Sequence, residues 1–405
     1  MKYSKFKCLF HFCRFKNTVL FSFCVLLACQ AQDKSSEHKK LLTAADQTEL
    51  YVYDLKSKNV AVVANQTSII LNSKSNYTHL VDSLLSLNIK VKKVFAPEHG
   101  FRGQADAGEK VDDAIDIKTG LPIISLYGKH KKPTETDLTD IDIVVFDIQD
   151  VGVRFYTYIS TLHYVMEACA EQNIPVLVLD RPNPNRHYID GPILENEYSS
   201  FVGMHPVPVV YGLTIGEYAQ MINGEKWLRD NMTCDLKVVS LKNYDVQKNY
   251  KLPIKPSPNL PNALSINLYP SLCFFEGTNV NAGRGTNTPF QVFGSPFLDP
   301  KNYDFQYMPK SNAGSKYPKH QGETCYGRDL TNHKFISEIQ LKWLINAYQN
   351  TLDPDKFFNP FFTKLAGTKV LQKQIEDGMT AKQIKATWQA DLEKFKLMKT
   401  KYQLY

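Results

Sequence analysis

The sequence predicts an α/β fold, a largely parallel sheet with helices packed on it, followed by a smaller mixed domain. Three observations predict it. From Asn59 to about Ser240 short apolar runs alternate with helix-periodic segments, the pattern of strands joined by crossover helices. Polar residues suited to chemistry recur directly after those runs, where open α/β sheets hold their ligands. Past Asn249 the composition shifts to proline and asparagine, which marks a change of architecture. The chain is too long for one ordinary core, so two domains are expected, 46–262 and 263–405.

In chain order, residues 1–28 read as a targeting segment. Lys2, Lys5, Lys7, Arg14 and Lys16 form a basic start, and Val19 to Ala28 is an apolar stretch too short to span a bilayer. It ends Leu26-Leu27-Ala28-Cys29, which resembles a bacterial lipobox. That implies cleavage before Cys29, lipidation of its thiol and anchoring of the mature chain to a membrane outside the cytoplasm. The plainer alternative is an ordinary secretory signal with a chance cysteine. Gln30 rather than aspartate at the next position favours the periplasmic side of an outer membrane. Residues 29–45 are then a lipidated cysteine and a polar, flexible tether.

The targeting segment carries five of the 48 Lys and Arg and none of the 41 Asp and Glu, so 43 basic residues remain against 41 acidic ones. The basicity of the whole chain is mostly that of the signal, and nothing argues for nucleic acid. Beyond Cys29 only Cys169, Cys234, Cys273 and Cys325 are left, without the paired spacing of metal ligands.

Strands are expected at Val60 to Ala64, Val91 to Ala96, Pro122 to Leu126, Ile141 to Phe146, Pro175 to Leu179 and Leu236 to Ser240. Helices are expected at Asn76 to Leu87 and Tyr156 to Asn173. In the second, Ile159, Leu162, Met166 and Cys169 recur on one face. Three of the strands are followed by polar clusters. Glu98, His99 and Arg102 lie in VFAPEHGFRG; Asp147, Gln149, Asp150, Arg154 and Tyr156 in FDIQDVGVRFYTY; Asp180, Arg181 and Asn183 in LDRPNPN. Equivalent strand ends should converge on one cleft, although each cluster alone could be a helix cap or solvated turn, and Asp180 could simply tie down its own loop.

Gly103 and Gly108 have phosphate-loop spacing, but Glu109 stands where lysine is required, and no G-x-G-x-x-G follows a strand. No nucleotide or other cofactor is expected. Asp106, Glu109, Asp112, Asp113 and Asp116 lack the alternating pattern of a calcium loop, and His99 has no second histidine at metal-binding spacing. Pro253 to Pro270 reads as an extended crossover into the second domain, where Glu276, Asn279 and Arg284 sit among glycines that let backbone approach a ligand closely. Helices are expected near Ser337 to Gln349 and Lys369 to Glu376. Gly378 closes the latter, and a last helix runs from the capping box Thr380 and Gln383 through Ile384, Trp388, Leu392 and Phe395.

PEHGFRG, TGLPIISLYG, FDIQDVGVRFYTY, LDRPNPN, FEGTN with GRGT, and the terminal WQADLEKFK and KYQLY together resemble the exo-β-N-acetylmuramidase family of NamZ-type glycoside hydrolases, long catalogued as a domain of unknown function. The match runs in order over essentially the whole mature chain. It implies a Rossmann-like, largely parallel sheet without nucleotide, a smaller C-terminal α+β domain completing the cleft, and release of N-acetylmuramic acid from non-reducing ends of peptidoglycan fragments. The glutamate of its PEHG motif falls on Glu98.

Glycoside hydrolysis needs a proton donor at the leaving oxygen and stabilisation of an oxocarbenium-like transition state. Glu98 is the candidate general acid or acid/base. The second group is Glu276, Asp147, Asp150 or the substrate's own acetamido group. A muramyl sugar carries a lactyl carboxylate that a guanidinium matches bidentately, with Arg102, Arg154, Arg181 and Arg284 as candidates. His99, Gln149, Asp150, Tyr156, Asp180, Asn183 and Asn279 complete the expected substrate contacts. A non-catalytic lipoprotein that captures muropeptides is the alternative. An amidase or esterase fits less well, since no G-x-S-x-G elbow is present.

Overall fold

Strands that are apolar on both faces belong inside a helix-covered parallel sheet, and the computed structural model has that sheet at its centre. The structure describes residues 40–72, 76–102 and 113–405. The targeting segment, Cys29 and most of the tether, as well as Gly103, Asp106, Gly108, Glu109 and Asp112, lie outside the described residues.

The strands in chain order are β1 (Asn59–Ala64), β2 (Ile69–Leu71), β3 (Tyr77–His79), β4 (Lys90–Ala96), β5 (Ala114–Ile115), β6 (Pro122–Ser125), β7 (Ile143–Asp147), β8 (Val176–Leu179) and β9 (Leu236–Val239). Seven of them form one sheet in the order β5-β6-β4-β1-β7-β8-β9, parallel throughout except at the edge pair β5–β6. Apart from the antiparallel edge strand β5, this is the doubly wound order whose direction reverses beside the first strand. Successive side chains point to opposite faces. Val60, Val62, Ala64, Val94, Val145 and Leu177 enter one core, while Ala61, Val63, Phe95, Val144, Phe146 and Val178 enter the other.

The first core is covered by α1 (Leu80–Ser86). The second is covered by α2 (Tyr158–Glu171), with Ile159, Leu162, Met166 and Cys169 all buried as their spacing predicts, and by α3 (Ile215–Gly224), which opens on a capping box of Thr214 and Glu217. The expected helix from Asn76 is shorter than its pattern, because Tyr77–His79 pairs antiparallel with β2 and His79 Nδ1 accepts from Val81 N at 3.3 Å to start α1.

The supposed crossover Pro253 to Pro270 also differs. Residues Ala263–Leu272 form α4, nucleated by a reciprocal capping box between Asn262 and Ser265. Pro270 lacks the N–H that the Ile266 carbonyl four residues earlier would receive. Asn185 Nδ2 donates to that carbonyl at 3.1 Å and to Val151 O at 2.9 Å, so a side chain from the LDRPNPN loop repairs the helix.

The C-terminal part is a three-stranded antiparallel sheet, β10 (Val292–Ser295), β11 (Phe305–Tyr307) and β12 (Cys325–Asp329), with β12 in the middle. Helices α5 (Leu341–Gln349), α6 (Phe361–Ala366), α7 (Val370–Glu376), α8 (Ala381–Thr387) and α9 (Gln389–Thr400) follow. The single last helix expected from the sequence is two, since the chain turns at Trp388 (φ −101°, ψ −1°), whose ring is buried. The core shared with the sheet continues through Phe155, Tyr269 and Phe290 to Phe395, and Leu41–Tyr405 is one compact unit. Cys169, Cys234, Cys273 and Cys325 are buried free thiols.

Replacing Asn185 by Ala leaves two buried carbonyls without their donor, which should lower unfolding free energy by about 1–3 kcal/mol. Urea denaturation measures this, and an unchanged midpoint would show that Pro270 is tolerated without Asn185.

Candidate active site

β4 delivers its chain end into a tight turn. Gly100 N donates to Pro97 O at 3.0 Å, and both His99 (φ 73°) and Gly100 (φ 76°) are left-handed. A histidine held there costs about 1–3 kcal/mol, a conformation that persists only where surroundings enforce it. The turn presents Glu98 to a cavity of about 390 Å³ that His99 also lines, within the ordinary range of ligand sites. The Glu98 carboxylate is held by a hydroxyl. Its Oε2 accepts from Thr157 Oγ1 at 2.8 Å, and Tyr127 lines the cavity with it. Burial, then the charge of Glu98, pushes the Tyr127 phenol above its usual pKa. The Glu98 main chain is fixed too, because Tyr158 OH lies 3.4 Å from its carbonyl and itself accepts from Asn65 Nδ2 at 2.8 Å.

A second carboxylate reaches the cavity from the 3-10 turn Cys273–Gly277. Glu276 Oε1 accepts from Arg284 Nε at 3.1 Å, and the guanidinium lies 5.1 Å from the centre of the Phe290 ring. Both line the cavity, as do Tyr156, Tyr269, Asn259 and the exposed Tyr317 at its rim. Tyr156 is tied down through its hydroxyl, which donates to Pro256 O at 2.9 Å. Gly283 (φ 80°) and Gly285 (φ 77°) beside Arg284 admit protein rather than ligand, for a Cβ on Gly285 would come within 2.6 Å of Pro318 Cγ.

The three strand-end clusters do not all open onto this cavity. Asp147 and Arg181 form a bidentate buried pair, Nε to Oδ1 at 2.6 Å and Nη2 to Oδ2 at 2.8 Å, and Arg181 also donates to Ile69 O. Asp180 accepts from Arg181 N, Gly216 N, Thr214 Oγ1 and Tyr405 OH, which anchors its loop, the start of α3 and the chain end. Asp150 accepts from Gly152 N at 2.6 Å and from Tyr211 OH. Burial raises the carboxyls of Asp150 and Asp180 to about 6. Gln149 donates to the carbonyls of Asp150 and Pro182, and Asn183 to that of Leu213. Arg154 is fully buried among main-chain carbonyls. Arg102 is paired with Asp116 and Asp82. None of these residues, nor Asn279, lines the cavity.

The residues missed from sequence are Tyr127, Thr157, Tyr158 and Tyr269. Tyr127 follows β6 directly in TGLPIISLYG, so the rule that singled out Glu98 applies equally to it. Among the described residues no group of three His, Cys, Asp or Glu side chains is placed to hold a metal.

A cavity at the strand ends of a Rossmann-like sheet, with two carboxylates among the described residues that line it, set among hydroxyls and aromatic rings, has the groups that glycoside hydrolysis uses. The chain matches the family models for exo-beta-N-acetylmuramidase NamZ, the N-terminal one over residues 60–264 and the C-terminal one over 267–405. It belongs to the NamZ family. It is 38% identical over 374 residues to the peptidoglycan beta-N-acetylmuramidase NamZ of Bacillus subtilis (strain 168), covering 88% of this chain and 89% of that one. Two crystal structures of DUF1343 family proteins from Bacteroides fragilis NCTC 9343 share the fold. One is 46% identical with a TM-score of 0.83 over 91% of this chain and 99% of the other, and the second is 29% identical with a TM-score of 0.76 over 90% and 99%.

Proposed function

We propose that this chain is an exo-acting β-N-acetylmuramidase that hydrolyses the glycosidic bond of a non-reducing terminal N-acetylmuramic acid in peptidoglycan fragments, with Glu98 as general acid. The observation that carries this reading is the seat of Glu98, a carboxyl just past a strand end that accepts from the Thr157 hydroxyl and shares the cavity of a NamZ-family chain with Tyr127. Hydroxyls both donate and accept. Thr157 and Tyr127 can therefore hold the acid while it is protonated and donate to the carboxylate once the proton has gone to the leaving oxygen. Glu276, paired with Arg284, is the other carboxylate among the described residues that line the cavity, and in this reading it acts on the charge that develops at the sugar ring.

Of the four candidate arginines, Arg284 is the one that lines the cavity. Among the described residues its hydrogen bond runs through Nε to Glu276. Its terminal nitrogens form the planar fork that a lactyl carboxylate fits. The basic start, short apolar stretch and Leu26-Leu27-Ala28-Cys29 support a lipoprotein anchored outside the cytoplasm, on the periplasmic side of an outer membrane.

The soluble chain beginning at Ala31 should release free N-acetylmuramic acid from a MurNAc-GlcNAc disaccharide, and Glu98→Gln should lose at least about a hundredfold in rate. Equal release by both would move the proton transfer away from Glu98, and binding without release by either would make the chain a capture protein. Arg284→Gln should cost about ten- to a hundredfold in kcat/KM on muramyl substrates, the scale of a charge-assisted pair, and far less on glucosaminyl analogues. Equal losses on both would end the lactyl assignment. Cys29→Ala in the full chain should move the protein from the membrane fraction to the soluble one, and retention in the membrane would refute anchoring at Cys29.

A further inference from the structure

The turn that carries Glu276 is held from outside by a lysine. A five-residue 3-10 turn leaves its carbonyls largely without partners of its own. Lys319 Nζ donates to three of the carbonyls in and just beyond it, Phe275 O at 3.1 Å, Thr278 O at 2.5 Å and Val280 O at 3.0 Å. All three ammonium donors are thereby used, and all on main-chain oxygen. The neighbouring groups finish the enclosure. His320 Nε2 and Ser295 Oγ bond Asn279 O, while Asn359 donates from N to Gly277 O at 3.0 Å and from Nδ2 towards the carbonyls of Glu276 and Thr278.

The segment that supplies Lys319 touches the cavity elsewhere. Lys310 N donates to Gly285 O, Pro318 packs against Gly285 beside Arg284, and Gly314, Ser315 and Tyr317 line the wall, with Asn259 Nδ2 donating to Gly314 O at 2.6 Å. The rim and the Glu276–Arg284 pair are thus mechanically joined at Lys319.

We propose that Lys319 is a positioning residue whose ammonium acts as a tethered monovalent cation in a carbonyl cage, setting the Glu276–Arg284 pair. Removing the side chain should then leave a site for a free cation of the same charge and similar size. The kinetic part of this rests on the muramidase reading. Burial lowers the pKa of the ammonium while Glu276 opposes that shift, as expected of a cation taken out of water and held by dipoles.

The test compares the wild-type chain with Lys319→Ala and Lys319→Met in sodium, potassium, ammonium or tetramethylammonium chloride at equal ionic strength, reading Tm and kcat/KM. Lys319→Ala should lose about tenfold or more in kcat/KM in sodium. Potassium or ammonium should restore at least about threefold of that and raise its Tm, while tetramethylammonium, too large for the cage, should do neither. Lys319→Met should show the loss without the rescue. Wild-type kcat/KM in Lys319→Ala, or a loss with no response of Tm and rate to either small cation, would overturn the proposal. If Lys319→Ala folds only in ammonium or potassium the cage is supported; if it folds in neither, cation replacement is refuted. Because the Tm response needs no turnover, a wild-type chain that released no N-acetylmuramic acid would sink the functional reading while leaving the cage to be decided.

Discussion

A buried guanidinium without a carboxylate partner among the described residues ties the long connection after β8 to the end of α6. Arg154 donates to Pro192 O and Val207 O, each at 2.7 Å, to Leu365 O at 2.9 Å and to Ala366 O at 2.6 Å. Two of these oxygens lie in the long connection after β8, and two at the C-terminal end of α6, where the helix dipole favours a cation. Burial lowers the guanidinium's pKa to about 9, so the fold sustains a charge against its desolvation because the surrounding dipoles are oriented to meet it. The space is tight. A Cβ on Gly367 would lie 2.8 Å from Arg154 Nη2, and Gly203 packs against the same side chain. Phe361 and Leu365 of α6 form part of the cavity wall, so the placement of that wall depends on an arginine that never touches the cavity.

That arrangement shows what a single sequence does and does not reveal. The parallel sheet was legible because β1, β7 and β8 are near-continuous apolar runs and β4 ends in Val94-Phe95-Ala96, all at crossover spacing, and the face of α2 was legible because its period is unmistakable. The cavity was half legible. Glu98, His99, Tyr156, Glu276 and Arg284 line it as expected, but the polar groups after β7 and β8 turn inward. A carboxylate beyond a strand end can face a crevice or satisfy its own loop, and the choice rests on partners far away in sequence. Asp147 is taken by Arg181, and Asp180 by Thr214 and by Tyr405 at the end of the chain. The terminal KYQLY is explained by the same contacts, with Leu404 N also donating to Glu217. No local pattern announces such pairings, just as none announced that Asn185 would make Pro270 acceptable within a helix.

Among the described residues Glu98 and Glu276 line the cavity from different elements and with different partners, which makes a division of labour between them chemically reasonable. Glu98 accepts from the Thr157 hydroxyl and has the Tyr127 phenol in the same cavity, groups that can follow a proton in either direction. Glu276 has a guanidinium beside it and a lysine ammonium beneath its turn, so its charge is matched by fixed cations. An acid that must give up a proton benefits from partners whose donors rotate. A carboxylate that faces a developing positive charge benefits from a fixed position, because reorganisation during the reaction would consume the electrostatic gain.

The position of the cavity follows from the same reasoning. In a doubly wound sheet the natural crevice lies where the strand order reverses, between β1 and β7, and dinucleotide-binding members keep it open with a glycine-rich turn after the first strand. Here that turn is Asn65-Gln66-Thr67-Ser68, and its side chains fill it. Asn65 Oδ1 accepts from both the amide and the hydroxyl of Thr67, Thr67 Oγ1 accepts from Gln149 N, and Ser68 Oγ donates to the Asp147 carbonyl. The Asp147–Arg181 pair closes the next gap, towards β8. With three strand ends sewn to one another, the space left for a ligand is displaced sideways, to where Glu98 after β4, Tyr127 after β6 and Thr157 at the start of α2 meet the Glu276 turn. The buried charges that sequence reasoning placed in the cleft are thus what moves the cleft. They consolidate the reversal point of the sheet, and the cavity is built from the strand ends beside it and from the C-terminal part that covers them.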